Sequence, residues 1–190
     1  MYQKYYTDAL VLRSRESGEA DRIYTLYTKD FGLVIARASA VRREHSRMRY
    51  ALQIYSRVTV ALVKGKRGWR LAGASASSEI RKVSSGLPTF VRIGELFLRL
   101  VTGEEKNEYL FAVLTETHEA LMSEQSNAYA TIEIVCVARM LFALGYLSSE
   151  ALETALFAHT AYTGDHLREA EILREKLISR INRAIAEAQL

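Results

Sequence analysis

The sequence contains a single cysteine, Cys136, among its 190 residues. One thiol excludes both an internal disulfide and a zinc site built from several cysteines. It lies in an apolar run at residues 134–137, so we expect a small buried side chain rather than a nucleophile. Proline is equally scarce, since Pro88 is the only one. With no low-complexity stretch in the chain, we expect no long disordered tail.

Long apolar segments are also missing. No stretch approaches the roughly 18 consecutive apolar residues of a membrane span. Residues 1–6 (MYQKYY) lack the apolar core of a signal peptide. We therefore expect a cytoplasmic protein.

Charge is distributed very unevenly along the chain. Residues 1–82 hold 17 Lys and Arg against 7 Asp and Glu, a net charge of +10. The remaining residues hold 9 basic and 15 acidic side chains, a net charge of −6. This asymmetry favours contact between the first part and a polyanion, while the second part faces water or a protein. Charge alone is also compatible with a basic domain that is merely soluble.

The first part of the chain has the pattern of a β-rich domain. Its candidate strands are rich in Val, Ile, Thr and Tyr and are separated by turn residues such as Gly18, Gly32 and the tip Gly65-Lys66-Arg67-Gly68. They cover residues 7–15, 21–28, 33–40, 55–64 and 69–75, with an irregular, partly helical connection near 43–52. In the fourth strand, Val58, Val60 and Leu62 alternate with polar or small residues, which predicts one buried face.

Five strands match a small closed barrel. The OB fold is the first candidate, because it closes five strands and binds oligonucleotides on one face. The count fits an SH3-like barrel as well. From Ser84 the pattern becomes helical, and Pro88 suits the first turn of a helix. We expect helices near residues 90–101, 107–122, 127–145, 149–158 and 166–188, with the third, apolar nearly all round, at the centre of a bundle.

The sequence thus predicts an α+β chain, an all-β barrel followed by an all-α helical bundle. We expect the boundaries to be residues 1–82 for a nucleic-acid-binding OB domain and 88–190 for the helical domain.

The strongest local feature is the segment 37–49 (RASAVRREHSRMR), which we call the basic connection. It holds five arginines and one acidic residue. Arginine binds phosphate through two parallel hydrogen bonds and stacks on bases, so the segment favours contact with DNA. The alternative is a solvated loop whose arginines pair with the acidic half of the chain. The candidate DNA-binding residues here are Arg37, Arg42, Arg43, Arg47 and Arg49.

Other basic residues lie on the neighbouring strands, together with one tryptophan. Basic grooves with aromatic platforms hold single strands, because every base offers a π-face. Trp69 is therefore a candidate for base stacking, with packing inside the barrel as its alternative. The further candidate DNA-binding residues are Arg13, Arg15, Lys64, Lys66, Arg67 and Arg70.

No constellation with enzymatic chemistry is evident. The loop at residues 65–68 lacks the ending and the following helix of a Walker phosphate loop. The four histidines have no metal-ligand spacing with one another. No Ser/His/Asp or Cys/His set has support from sequence, so we predict no catalytic residues, no metal, no cofactor and no enzyme.

Several segments of the chain resemble the opening of the bacterial recombination mediator RecO. They occur in the order and spacing of that family and cover most of residues 8–80. The helical part still resembles it at residues 95–97, 103–105, 107–111 and 143–146. The segments of the first part are 9–12 (ALVL), 18–23 (GEADRI), 25–28 (TLYT), 31–33 (FGL), 41–43 (VRR), 46–47 (SR) and 51–53 (ALQ).

The chain departs from the family pattern at three places. Ala40 stands where glycine usually precedes the basic pair, and Ile54 stands where proline usually follows Leu-Gln. Many members carry a four-cysteine zinc lobe after the Leu-Gly-Tyr segment, and residues 147–166 contain no cysteine. We therefore expect a short or divergent member without this lobe and without a bound metal.

The resemblance implies a DNA repair and recombination mediator that is associated with the nucleoid. Such a protein binds single- and double-stranded DNA, anneals complementary strands and helps load recombinase onto DNA coated by single-stranded DNA-binding protein (SSB). Its implied partners are RecR and SSB. In some members the helical domain docks the tail of SSB, and Arg139 with Phe142 is the candidate contact here.

Two other functions fit the same sequence. The helical part could be the working surface of a protein-interaction adaptor, with the barrel as a basic scaffold. The barrel could instead be an OB-type binder of RNA.

Overall fold

The computed structural model describes residues 3–77, 84–123, 126–148 and 154–187, which form two compact units. Of these residues, 3–77 and 102–108 make up the first unit, the barrel unit. Residues 84–101 and the described residues from 109 onward make up the second, the helical unit. Among the described residues, no helix is long and apolar enough to cross a membrane.

Five strands close the barrel in the order β1-β2-β3-β5-β4. All neighbouring pairs are antiparallel except β3 and β5, which run parallel where the barrel closes. The structure thereby confirms the predicted OB-type barrel followed by helices. The strands are β1 (Lys4–Ser17), β2 (Asp21–Thr28), β3 (Gly32–Ala38), β4 (Arg57–Gly65) and β5 (Gly68–Ala76).

The barrel interior is filled by alternate residues of every strand. Val58, Val60 and Leu62 of β4 are completely buried, as their alternation predicts. They share one core cluster with residues of the other strands, including Tyr24, Leu26, Val34 and Trp69. Burial at about 25 cal/mol per Å² of apolar surface is the main force that holds such a closed sheet together.

A β-bulge changes the direction of the side chains on β1. The register shifts between Val11 and Arg13. Ala9 and Val11 face the core, so Arg13 and Arg15 would face it too if strict alternation continued. The extra residue reverses the alternation, and both arginines are exposed. The bulge thus keeps two cations out of the barrel core.

Residues 102–108 pack on the barrel as a segment that we call the strap. The amide of Leu33 donates to the carbonyl of Gly103 at 3.1 Å, and the hydroxyl of Tyr27 lies 3.5 Å from the carbonyl oxygen of Asn107. Gly32 has φ +64, and a Cβ there would lie 2.3 Å from the carbonyl oxygen of Glu105. Only glycine therefore fits where β3 begins beneath the strap.

The connection between β3 and β4 contains one short helix, α1 (Met48–Ala51). Near the start of this connection, Ala40 lies in the left-handed region with φ 54, a conformation that is strained for a residue with a Cβ. The amide of Ala40 donates to Oδ1 of Asp21 at 2.7 Å, and the amide of Arg42 donates to the carbonyl of Ala20 at 2.9 Å. These bonds fasten the start of the connection to the β1–β2 turn.

The helical unit is arranged around one apolar helix. Helix α4 contacts α2, α5 and α6, as expected for the predicted central helix. Its buried side chains include Ile132, Val135 and Leu141. The helices are α2 (Leu87–Leu100), α3 (Glu108–Ser123), α4 (Tyr129–Ala143), α5 (Gly164–Ile172) and α6 (Arg174–Glu187), with short 3₁₀ turns at Ser126–Ala128 and Ala155–Phe157.

Most element boundaries differ from the sequence prediction by a few residues, and three differences change the description of an element. The third strand ends at Ala38 rather than at residue 40, because Ala40 turns into the left-handed region. The helix expected over 166–188 is two helices, separated at Leu173. Of the short helix expected at 149–158, only a 3₁₀ turn from Ala155 to Phe157 is present in the described part, and residues 149–153 lie outside it.

Candidate nucleic-acid interface

Four outward side chains form a row across the barrel, and we call it the arginine row. Arg15 of β1 pairs with Ile23 of β2, Ile23 pairs with Arg37 of β3, and Arg37 pairs with Arg70 of β5. Residues directly opposite each other share one face of a sheet. With strands about 4.8 Å apart, the row extends over about 15 Å. It therefore places three guanidinium groups along one line of the outer surface.

A second row lies beside the first and contains an exposed apolar residue. Arg13 pairs with Thr25, and Thr25 pairs with Ile35. The side chain of Ile35 is 61% exposed, an unusual position for a large aliphatic group on a basic surface. Sequence reasoning missed Ile23, Thr25 and Ile35, although the alternation of Ile35 and Arg37 with buried Val34 and Ala36 carries the signal.

One carboxylate lies at the end of the arginine row. Nε and an Nη atom of Arg37 donate to Oδ2 of Asp21 at 2.8 and 2.7 Å. The backbone amide of Ala40 and then Arg37 lower the pKa of Asp21 below its ordinary value. The guanidinium of Arg37 is more than half exposed, so this ion pair contributes little to stability and leaves the group accessible to a phosphate.

The basic connection brings its arginines close to the β1–β2 end of the barrel. Arg42 donates to Glu16 and to the carbonyl of Gly18, both at 3.2 Å. The guanidinium of Arg49 lies 4.9 Å from the ring centre of Tyr50. Arg43 and Arg47 are exposed. The carboxylates that pair with Arg37 and Arg42 in the described residues belong to the barrel itself, at Asp21 and Glu16.

The hairpin between β4 and β5 carries two further exposed cations. Gly65 pairs with Gly68, so Lys66 and Arg67 form a two-residue turn at the tip. Lys64 is engaged differently, since its Nζ lies 2.8 Å from Oε2 of Glu104 in the strap. This ion pair lowers the pKa of Glu104. Lys64 is therefore part of the attachment of the strap, unlike the two residues at the tip.

The structure corrects the prediction that Trp69 stacks on bases. Its side chain is 6% exposed and belongs to the barrel core. The ring contacts Tyr5 and Phe31 at centroid distances of 5.8 and 5.2 Å, and Nζ of Lys64 lies 4.9 Å above it. The reason is strand alternation, because Trp69 pairs with inward-facing Ala36, whereas Arg70 faces outward.

The structure also corrects the proposed partner contact at Arg139. This side chain is completely buried. Its guanidinium donates to the carbonyls of Leu156, Thr160 and Ala161 at 2.8, 2.6 and 3.2 Å, and it lies 4.8 Å from the ring centre of Tyr162. Each of its three nitrogen atoms donates to a backbone carbonyl and the side chain is inaccessible, so its charge is not available to a partner.

Phe142, the other predicted contact, is half-buried. Its ring stacks on Phe157 at 4.8 Å and meets Tyr109 edge-on at 5.9 Å. The two residues of the predicted partner site thus do not form one exposed pocket.

The residues that could hold a metal are not brought together. Among the described residues, no three His, Cys, Asp or Glu side chains form a group that could bind an ion. Burial raises the pKa of Cys136 to about 12, so its thiol stays protonated and unreactive.

Comparison with known proteins agrees with the resemblance to RecO in the sequence. The model of the family described as "Recombination protein O N terminal" matches residues 1–76. The chain is 45% identical over 62 residues to a DNA repair protein RecO of Desulfitobacterium hafniense. This alignment covers 33% of this chain and 23% of that protein. Longer matches reach RecO of Pelotomaculum thermopropionicum (32% identity, 72% of this chain and 55% of that protein) and of Roseiflexus (30% identity, 75% and 50%).

The chain is similar to RecO proteins, and its residues 1–76 match the model of their N-terminal part. The matched part of these three RecO relatives amounts to between 23% and 55% of their own length. The structure also shows that one of the departures from the RecO pattern carries a conformational cost. Ala40 occupies a left-handed conformation in which the family's usual glycine meets no Cβ penalty.

Proposed function

We propose that this RecO-like chain binds single- and double-stranded DNA through the barrel, anneals complementary strands and helps load recombinase onto SSB-coated DNA. The observation that carries the proposal is the arginine row across the outer face of an OB-type barrel. In this proposal, residues 1–82 act as the nucleic-acid-binding domain and residues 88–190 as the helical domain. The protein acts as a non-enzymatic mediator in the cytoplasm, at the nucleoid.

Phosphate groups are the expected ligands of the arginines. The candidate contacts are Arg13, Arg15, Arg37 and Arg70 on the outer face, the basic connection, and Lys66 and Arg67 at the hairpin tip. Each neutralised phosphate releases counterions, which gives a slope of about −0.7 in log K against log salt on single strands and about −0.9 on duplex. Binding should therefore weaken steeply as the salt concentration rises.

Bases are expected to contact the apolar part of the same face. Ile35 is exposed between the arginines of neighbouring strands, so an unstacked base can cover it while its phosphates reach the guanidinium groups. Neither row contains an aromatic residue, and hydrogen-bonding groups for base edges are few. We therefore expect binding with little sequence preference.

Annealing follows from the same electrostatics. Two complementary strands repel each other through their phosphates, and a surface that neutralises one strand lowers this repulsion. From the similarity to RecO proteins we propose RecR and SSB as the partners that connect annealing to recombinase loading. The relatives are named as DNA repair proteins, which supports this assignment.

A salt titration tests the central claim. Fluorescence anisotropy of labelled single-stranded and duplex oligonucleotides, measured from about 50 to 200 mM salt, should give a negative linear slope. The combined change Arg42→Gln, Arg43→Gln and Arg47→Gln should reduce the slope by up to about 2 units on single strands and slow annealing. A wild-type chain that binds no DNA at about 50 mM salt would refute the proposal.

Two controls separate the alternatives. Equal-length RNA and DNA competitors distinguish an RNA-binding protein, because contacts to the 2′-hydroxyl shift the preference towards RNA. A pull-down after nuclease treatment that recovers RecR or SSB, from a chain that does not bind DNA, would favour an adaptor instead.

A further inference from the structure

A pocket of about 640 Å³ lies at one end of the barrel, between the first two strands and the segment around α1. Its volume is within the range of about 300–1,000 Å³ that is typical of sites for small ligands. The strands contribute Glu16 and Arg22, while the segment around α1 contributes Arg42, Arg49 and Tyr50. Arg42 and Arg49 belong to the basic connection, so the pocket adjoins the proposed interface, but none of the contacts proposed on the outer face lines it.

The charges in this pocket are not balanced. Three arginines line it, and Glu16 is the only carboxylate among the lining residues. Glu16 is shared, since its two oxygens lie 3.5 Å from an Nη atom of Arg22 and 3.2 Å from one of Arg42. Nε of Arg22 is buried and makes no hydrogen bond to any described residue. The excess of donors over acceptors favours an anionic ligand.

The rest of the lining suits a flat, partly apolar group. Tyr50 and Ile54 are 55% and 48% exposed, and both line the pocket. Val41 and Leu52 are buried beneath, and Gln53 provides an amide that can both donate and accept. An aromatic ring, aliphatic groups and an amide are the groups with which proteins hold a nucleobase.

We propose that this pocket receives one unpaired nucleotide, with its phosphate on Arg22 and Arg42 and its base against Tyr50 and Ile54. Where the nucleotide is part of a DNA strand, this proposal rests on the proposed function. Strand β1 connects the two surfaces, since Arg13 and Arg15 face outward while Ser14 and Glu16 line the pocket.

The pocket then selects single strands over duplex. In a duplex, bases are stacked and paired, so placing one in a pocket requires unstacking and unpairing. An unpaired strand has already lost most of these contacts. The outer face holds both forms through phosphates, whereas the pocket adds affinity only for the single strand.

The test compares single-strand and duplex affinity in matched variants of the full chain. Tyr50→Ala and Arg22→Gln should weaken binding of a single-stranded oligonucleotide about fivefold or more, since one stacked base contributes that much. Duplex binding should change less than about twofold. Arg67→Gln, a control at the hairpin tip, removes the same charge as Arg22→Gln and should weaken both ligands alike. Circular dichroism and thermal melting confirm that each variant is folded.

A gain of affinity makes the test sharper. Glu16→Gln removes the carboxylate that competes with a phosphate, so single-strand affinity should rise. The control Glu44→Gln removes an equal charge from the basic connection, at a residue that does not line the pocket. It measures how much the affinity for DNA rises when a carboxylate is removed from outside the pocket. If Glu16→Gln increases the preference for single strands no more than Glu44→Gln does, or if Tyr50→Ala leaves that preference unchanged, the proposal is wrong.

Free mononucleotides separate this inference from the proposed function. Titration with dAMP and TMP, followed by protein NMR, measures the pocket without the outer face. Suppose that the wild type binds no DNA but binds a mononucleotide, and that Arg22→Gln abolishes this binding. The proposed function is then wrong, whereas the pocket is a binding site for a free nucleotide. If the wild type binds neither, both are refuted.

Discussion

The barrel unit exposes most of the arginines that the structure describes there, whereas the helical unit buries Arg139 completely. Arg15 and Arg37 lie on an open sheet face, and Arg37 has only an exposed ion pair. Arg139 instead has three backbone carbonyls as acceptors and an aromatic ring beside it. In the proposed function the same type of side chain binds a ligand in the barrel unit, whereas in the helical unit Arg139 stabilises the fold.

This difference shows when a basic residue indicates a binding surface. An exposed arginine costs little in stability and remains available to a phosphate. A buried arginine requires hydrogen bonds that replace water, and its burial keeps the guanidinium away from a partner. Net charge predicts a binding surface only where the side chains are exposed.

The largest effect is expected at the buried arginine. Arg139→Leu leaves the carbonyls of Leu156, Thr160 and Ala161 without their donor, so the free energy of unfolding should fall by about 3–5 kcal/mol. Urea denaturation of the full chain measures it. The matched control Arg168→Leu removes an exposed arginine of α5 and should change stability by less than about 0.5 kcal/mol. If both variants lost the same free energy of unfolding, the proposed difference between buried and exposed arginines would be wrong.

The exposed arginines should show the opposite behaviour. The double change Arg15→Gln and Arg37→Gln should reduce the salt slope of single-strand binding by about 1.4 units, because two phosphate contacts are lost. Stability should hardly change. A salt titration with a thermal melt of the same sample gives both quantities. The double change Arg168→Gln and Arg183→Gln in the helical unit serves as the control, and an equal loss of slope there would contradict the proposed interface.

A smaller effect is expected where the basic connection begins. Ala40→Gly removes the penalty of a left-handed conformation and should stabilise the chain by about 1 kcal/mol. Ala38→Gly, two residues earlier in β3, should destabilise it by about 0.5–1 kcal/mol, because glycine loses more entropy in a strand. Changes of opposite sign in the free energy of unfolding, measured by urea denaturation, would support the left-handed conformation of Ala40. Two losses would contradict it.

The smallest effect concerns pH. The folded pKa of Asp21 is lowered by the amide of Ala40 and by Arg37, so its carboxylate stabilises the fold above its unfolded pKa. This contribution is lost as pH falls through the lowered folded value. The stability difference between wild type and Asp21→Asn should therefore be largest near neutral pH and shrink below about pH 4. A constant difference from pH 7 to pH 3 would show that the charge of Asp21 has no role.

Strand alternation predicted much of the barrel. The second strand has the predicted limits, and the inward set Val58, Val60 and Leu62 is buried as expected. The same alternation contained the answer for Trp69, since Trp69 and Leu71 are apolar while Arg70 between them is charged. Composition suggested an aromatic platform, but the period of two placed the ring inside.

The remaining features depend on contacts that sequence patterns do not record. The bulge beyond Val11 depends on the register with β2, which no local pattern specifies. Arg139 lies in an apolar helix, and its acceptors come from residues 156–161, brought near by tertiary packing. The pocket beside α1 combines the hairpin of β1 and β2 with residues 41–54, which tertiary packing brings together. Each of these features required the folded structure.

The strap has a practical consequence for work on the barrel in isolation. A gene fragment that stops after β5 encodes all five strands but omits the chain that covers Gly32 and pairs with Lys64. Such a fragment would present the amide of Leu33 and the cation of Lys64 to solvent, and an added DNA strand could occupy them instead. Affinities measured on it would include a contact that the intact chain makes internally. A faithful minimal barrel therefore has to restore residues 102–108, for example through a short linker from the end of β5.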